Sequence, residues 1–164
     1  MKKIYLIMAL ATTSILSITS CSKDETTQTA TGTDARDQAT GNYNFAIKTY
    51  ILGSDGTLTP IPDSTINTTL TVGKGNSNTL LFSENGSSTD VITASKIGAA
   101  TNGFTFDINE QTKNSTTIKG YNGFTLGTVK YNGAYITATK TLTFYYTTKT
   151  NDVDVVFEFI GVKK

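Results

Sequence analysis

Few residues in this chain are suited to covalent chemistry. There is no histidine, no tryptophan and one cysteine in 164 residues, which excludes histidine acid–base catalysis, thiol–histidine pairs, most zinc sites and any internal disulfide. The acids that fall near one another are Asp107 with Glu110, Asp152 with Asp154, and Glu84 with Asp90. A glycosidase needs two carboxylates about 5–9 Å apart, one of them kept protonated by its surroundings, and none of these spacings implies that arrangement. Asp152 and Asp154 read as solvent-facing residues flanking a hairpin. The Glu84 to Asp90 loop is rich in oxygen but lacks the carboxylate density of a calcium loop, and reads as a solvated turn. A serine nucleophile would need a lysine base, and no paired Ser–Lys motif stands out. The expectation is therefore a protein that is not an enzyme, with neither metal nor cofactor.

The most suggestive surface residues are aromatic. Tyr121-Asn122-Gly123 and Tyr131-Asn132-Gly133 repeat one pattern, and Tyr135 follows closely. Tyr121, Tyr131 and Tyr135 would offer rings for stacking on a sugar, with the asparagines binding its hydroxyls. The competing and favoured reading is that Asn-Gly forms a type I′ turn and each tyrosine packs on its own hairpin. Asp63-Ser64-Thr65 resembles the O-glycosylation signal of Bacteroidota, a match of only three residues.

The elements that must position these residues are strands. Threonine makes up 33 of the 164 residues and charged residues only 16%, a composition that favours pleated, half-solvated strands. From Gly41 onward the apolar period is two. Tyr43, Phe45, Ile47 and Ile51 share one face, as do Ile66, Thr68, Leu70 and Val72. Leu80 and Phe82 form a short strand, and Val91 and Ile97 bracket a weak one with Thr93 and Ser95 on its core face. Phe104, Phe106 and Ile108 alternate cleanly, as do Leu142, Phe144 and Tyr146. Ile118 to Thr137 supplies at least one further strand through Phe124, Leu126, Val129 and Tyr131. Val153, Val155, Phe157 and Phe159 close the chain, so Phe157 is expected inside, and Glu158 outside where truncation is nearly neutral. Ser54-Asp55-Gly56, Glu84-Asn85-Gly86, Asn102-Gly103 and the two Tyr-Asn-Gly triplets read as the turns. About eight short strands joined in this way predict an all-β, up-and-down antiparallel barrel, with a β-sandwich as second choice.

The chain ahead of Gly41 reads as an address and a tether. Residues 1–20 carry Lys2 and Lys3, an apolar run and small residues before Cys21, the form of a secretory signal and too short for a spanning helix. Ile18-Thr19-Ser20-Cys21 resembles the bacterial lipobox, which implies that Cys21 is lipidated and becomes the first mature residue; the alternative is a free thiol, or the last residue of a conventional signal peptide cleaved a few residues away. The mature chain of 144 residues would have a formal charge of −1, which gives no electrostatic reason to bind nucleic acid. Lys23, Asp24 and Glu25 resemble the export signal of Bacteroidota surface lipoproteins, against an arbitrary charged linker. Residues 21–40 then form a lipidated tether, since Thr26 to Thr40 has no aromatic or β-branched aliphatic residue to bury. As a flexible stalk it would reach about 20 Å.

Gly41-Asn42-Tyr43 after a polar tether, and the closing run ending Phe159-Ile160-Gly161-Val162-Lys163-Lys164, resemble small Bacteroidota lipoproteins with a lipocalin-like (calycin-like) domain over 41–164. The resemblance implies a lipid-anchored protein of the outer membrane, exposed at the cell surface. Its barrel would bind a small apolar or sugar-like ligand; the alternative is a module acting on a protein partner through its loops, as an accessory subunit or inhibitor. An apolar cavity of about 300 Å³ or more would favour the first, and a barrel filled by Phe45, Phe106, Phe144 and Phe157 the second. Cys21→Ala is expected to release the protein from the membrane, because acyl chains are the anchor. Retention of that variant after a high-salt wash would exclude the lipid anchor.

Overall fold

The computed structural model describes residues 34–76 and 78–164. The expected signal segment 1–20, Cys21, and Lys23, Asp24 and Glu25 lie outside the described residues. Among the described residues no helix is long and apolar enough to cross a membrane.

One short helix, α1 (Ala35–Ala39), precedes β1 (Gly41–Leu52), β2 (Leu58–Pro60), β3 (Ile66–Lys74), β4 (Leu80–Glu84), β5 (Val91–Ala100) and β6 (Gly103–Ile108). Then come β7 (Gln111–Lys113), β8 (Thr116–Gly120), β9 (Phe124–Leu126), β10 (Val129–Tyr131), β11 (Gly133–Ile136), β12 (Thr141–Thr150) and β13 (Val153–Lys163). β1, β3, β4, β5, β6, β11, β12 and β13 pair in that order, each antiparallel to the next, and β13 returns to pair with β1. The fold is all-β, and its eight barrel strands form a closed up-and-down antiparallel barrel of the lipocalin-like kind. Closure matters physically because it gives each of the eight barrel strands a partner on both sides, so none of them is an edge strand open to another chain.

The rows that alternate in the sequence are the rows that fill the barrel. Tyr43, Phe45, Leu80, Phe82, Phe104, Phe106, Leu142 and Phe144 are all at most 1% exposed. The rings interlock at one end. Phe144 stacks on Phe159 with centroids 4.4 Å apart and planes 9° from parallel, while Phe45 meets Phe144 edge-on at 5.6 Å. Two glycines make room for them. Gly161 pairs across the sheet with Phe45, and Gly133 with both Phe106 and Phe144. A Cβ at Gly161 would lie 2.5 Å from the Phe45 ring, and one at Gly133 would lie 2.5 Å from the Phe106 ring.

The helix closes this packed end. Residues 34–40, expected to belong to the flexible tether, instead form a capped turn, because Asp34 and Arg36 supply local bonds that composition alone does not reveal. The Asp34 carboxylate accepts from the Arg36 backbone N–H at 3.0 Å and from its guanidinium at 2.6 Å, and the guanidinium hydrogen bonds hold its pKa down to about 2. Arg36 Nη1 also donates to the carbonyls of Gly75 and Thr79 in the β3–β4 turn, at 3.2 and 3.1 Å. Ala39 is fully buried, and its carbonyl accepts from the Tyr43 hydroxyl at 2.8 Å.

Three local expectations are corrected. In β5 the core row is Ile92 and Ala94, not Thr93 and Ser95. A bulge between Ser95 and Gly98, with Lys96 at φ 51°, then brings Ile97 back toward the core. The extra residue flips the parity that simple alternation assumes. The segment Phe124 to Tyr131 is not a barrel strand; β9 and β10 pair only with each other, and β11 supplies the wall. On β13 Phe157 packs against the core as expected, but Glu158 is not a free surface carboxylate. It accepts from the Tyr50 hydroxyl at 2.7 Å and the Tyr145 hydroxyl at 2.6 Å, beside Val156, which is fully buried on the same outer face. Removing Glu158 would strand two hydroxyls, which is not a neutral change.

Gly161→Ala is expected to destabilise the barrel by about 1–3 kcal/mol, because the added methyl forces the Phe45 ring off its seat. Denaturant unfolding of the full chain reads this directly, and an unchanged midpoint would show that the ring moves freely.

Candidate functional site

Above the packed rings, toward the end opposite α1, the same inward rows become sparse and leave a cavity of about 360 Å³. Its walls are Ile47 from β1, Leu70 from β3, Phe82 from β4, Ile92 from β5, Ile118 from β8 and Phe159 from β13. Phe82 and Phe159 also belong to the ring cluster, so the top of that cluster is the floor of the cup. Thr68 and Ile66 continue the β3 row to the rim, where Ile66 is 59% exposed. The volume falls within the range of about 300–1,000 Å³ typical of small-molecule pockets.

The wall near β12 is completed by an insertion. β11 pairs with β12 only over Thr141 to Phe144, and farther along β12 its Tyr146 and Thr147 pair with β8 instead. On the other side of that hairpin, Gln111 of β7 accepts at 3.3 Å from the Thr93 backbone N–H of β5, and the Asn109 N–H donates to the Thr93 carbonyl at 2.9 Å. The β7–β8 hairpin thus patches the barrel where β6 and β11 stop, and brings Ile118 and Lys113 to the cup. Its turn, Asn114-Ser115, has φ of 46° and 63°, the mirror-image geometry suited to tight hairpins.

The rim is charged, and each charge stands at the end of an inward row. Glu84 follows Leu80 and Phe82 along β4 and pairs across the sheet with inward Leu70. Asp90 precedes Ile92 and Ala94. Lys113 follows Gln111, which pairs with inward Ile118. Lys113 Nζ lies 2.8 Å from the Asp90 carboxylate, with the lysine side chain 17% and the aspartate side chain 57% exposed. Glu84 has no ion-pair partner among the described residues. Tyr146 places its phenol in the same wall, where burial foremost, and then the negative charge of Asp90, push its pKa up to about 12. The hydroxyl is therefore a neutral hydrogen-bonding group at physiological pH. The Glu84 to Asp90 loop gathers no cation cage, since Asp90 is occupied by Lys113. No group of three His, Cys, Asp or Glu side chains comes together among the described residues.

The tyrosines singled out in the sequence do not meet at this cup. Tyr135 is 2% exposed and packs on Phe104 with centroids 5.4 Å apart, so it presents no ring to a ligand; its position in the β11 row places it inside. Tyr121 and Tyr131 are half-buried outside the cup. Their Asn-Gly pairs close no hairpin: β9 and β10 turn at Gly127, with φ 62°. Asn132 is a buried staple. Its Oδ1 accepts from the Ile108 N–H at 2.9 Å and its Nδ2 donates to Asn122 Oδ1 at 2.7 Å, above Gly120, where a Cβ would overlap Asn132 Oδ1. At Asp63-Ser64-Thr65 the Ser64 hydroxyl is engaged with its own loop, donating to the Ile61 carbonyl at 2.7 Å.

No motif marks the cup: its apolar residues read as core, and Glu84 and Asp90 as a solvated turn. Only the continuation of strand parity into Glu84, Asp90 and Lys113 signals charged side chains aimed at an interior. Comparison with known proteins finds no matching family model, no matching curated protein and no matching solved structure.

Asn132→Ala is expected to cost about 1–3 kcal/mol by leaving the buried Ile108 N–H unpaired. Urea midpoints of the full chain measure the loss, and a midpoint equal to that of the unsubstituted protein would overturn the staple assignment.

Proposed function

We propose that this protein is a lipid-anchored binding module displayed at the cell surface, which holds a small, largely apolar ligand in the cup of its barrel. One observation carries the binding reading. The inward rows are packed to capacity by rings at the end near α1, yet at the other end Ile47, Leu70, Ile92 and Ile118 surround about 360 Å³ of open space. A barrel serving stability alone gains by filling such space with larger side chains, since protein interiors are close-packed and voids are costly. The apolar wall with a few polar groups at its mouth is the usual form of a small-molecule site. It favours this reading over a module acting only through its loops, and the site supports binding rather than turnover.

Anchorage and location rest on the sequence. Ile18-Thr19-Ser20-Cys21 supports lipidation at Cys21, and Lys23, Asp24 and Glu25 support export to the outer face of the outer membrane, as in the small Bacteroidota lipoproteins that the chain resembles. The mature chain would then carry its barrel outside the cell, with its membrane partner engaged through acyl chains rather than through protein.

Titration of the full chain with the neutral apolar fluorophore N-phenyl-1-naphthylamine is expected to show saturable binding at one site. Thr68→Trp projects an indole from the β3 row into the cup and is expected to weaken that binding at least about tenfold, the scale on which a hydrophobic pocket discriminates ligand size, while the unfolding midpoint stays near that of the parent. Equal binding by both proteins would place the fluorophore elsewhere and remove the cup from consideration.

A further inference from the structure

Glu84 decides what an occupant of the cup must carry. It stands exposed at the end of the inward row Leu80, Phe82, Glu84, in register with Leu70, and lines the mouth of the cup. An exposed carboxylate beside an apolar floor attracts a cation, and among the described residues none is paired with it: Lys113, which also lines the cup, is already 2.8 Å from Asp90. Two acids and one base leave the rim with an excess negative charge. A fatty carboxylate would bring a like charge to it, and a neutral ligand would leave Glu84 uncompensated.

Resting on the reading of the cup as a binding site, we propose that its ligand is an organic cation, with a short apolar body seated on Phe82 and Phe159 and an ammonium head against Glu84. The cup, at about 360 Å³, has the volume of about a dozen water molecules, which suits a short apolar body rather than a long chain. The neutral Tyr146 hydroxyl offers the head or its neighbouring atoms a hydrogen bond within the wall, and the Lys113–Asp90 pair closes one side of the mouth without competing for Glu84.

Calorimetric titration of the full chain with octylammonium, octanol and octanoate separates the two readings, because the three probes share one apolar body. Octylammonium is expected to bind about 5-fold more tightly than octanol, the upper range for a solvent-exposed ion pair, with octanoate weakest. Glu84→Gln, a nearly isosteric change at an exposed position, is expected to abolish the preference for octylammonium over octanol. Equal affinities for the three probes, or octanoate binding tightest, would overturn the organic-cation inference while leaving the cup a binding site. Preference for octylammonium that persists in Glu84→Gln would overturn the role given to Glu84. Failure of all three probes to bind would overturn the cup reading itself and this inference with it.

Discussion

The structure depends on the stacking of Phe144 on Phe159. These two rings come from adjacent strands, β12 and β13, and lie 4.4 Å apart in nearly parallel planes. Phe45 of β1 packs its edge on both, at 5.6 and 6.1 Å, and Phe82 of β4 reaches Phe144 at 4.7 Å. Rings from strands on both sides of the β13–β1 ladder thus share one contact. Burying aromatic surface of this extent is among the largest favourable terms open to a small domain, and it is obtained only when the last strand returns to the first. The same contact sets a strict geometric condition, because ring-filled interiors need bare positions opposite the rings. Gly161 and Gly133 supply them on β13 and β11.

The cup is a consequence of how high that packing reaches. Phe82 and Phe159 are at once members of the ring cluster and the floor of the cavity. Above them the β1, β3 and β5 rows continue with aliphatic or shorter side chains, Ile47, Thr68 and Ile92, so the space is left open. For the binding we propose, a rigid floor would have a consequence: the apolar part of a ligand would meet surfaces already held in place by packing, and little ordering entropy would remain to be lost. Tight packing and open space are therefore divided between the two ends of one barrel, with α1 sealing the first and the β7–β8 hairpin shaping the second.

The outer face shows a different solution to burying polar groups. Glu158, Tyr50 and Tyr145 form a single hydrogen-bonded set across β1, β13 and β12, next to the fully buried Val156. The strap after β8 crosses here. The Tyr121 N–H donates to the Tyr145 carbonyl at 3.1 Å, and Gly123 lies close enough to the Tyr145 ring that a Cβ would fall within 2.5 Å of it. Asn132 repeats the device farther along, satisfying a backbone donor at Ile108 and a side chain at Asn122. Each of these groups is polar in type and structural in effect, since a buried polar atom is tolerated only when its bonds are met.

Strand identity and the inward rows were legible in the sequence wherever alternation was uninterrupted. Phe104, Phe106 and Ile108, or Leu142, Phe144 and Tyr146, declare their faces because a strand's side chains alternate by stereochemistry alone. Ser54-Asp55-Gly56 and Glu84-Asn85-Gly86 declare turns because their residues tolerate the required backbone. The same reasoning failed at β5, where one bulged residue reversed parity, and at the Tyr-Asn-Gly triplets, where the asparagine side chain was spent on distant partners. It also failed at α1, where a cap between Asp34 and Arg36 and a buried alanine ordered a polar segment. The cup lay beyond local reading altogether. Glu84, Asp90 and Lys113 are 29 residues apart in the chain from first to last, and they share a rim only because β4, β5 and the β7–β8 hairpin meet around one axis. Sequence by itself determined which side chains face inward wherever a strand runs unbroken, since that follows from a period of two. Only the tertiary structure decided how far the rings fill the interior and which charges ring the space they leave, since both depend on register between strands that no single strand encodes.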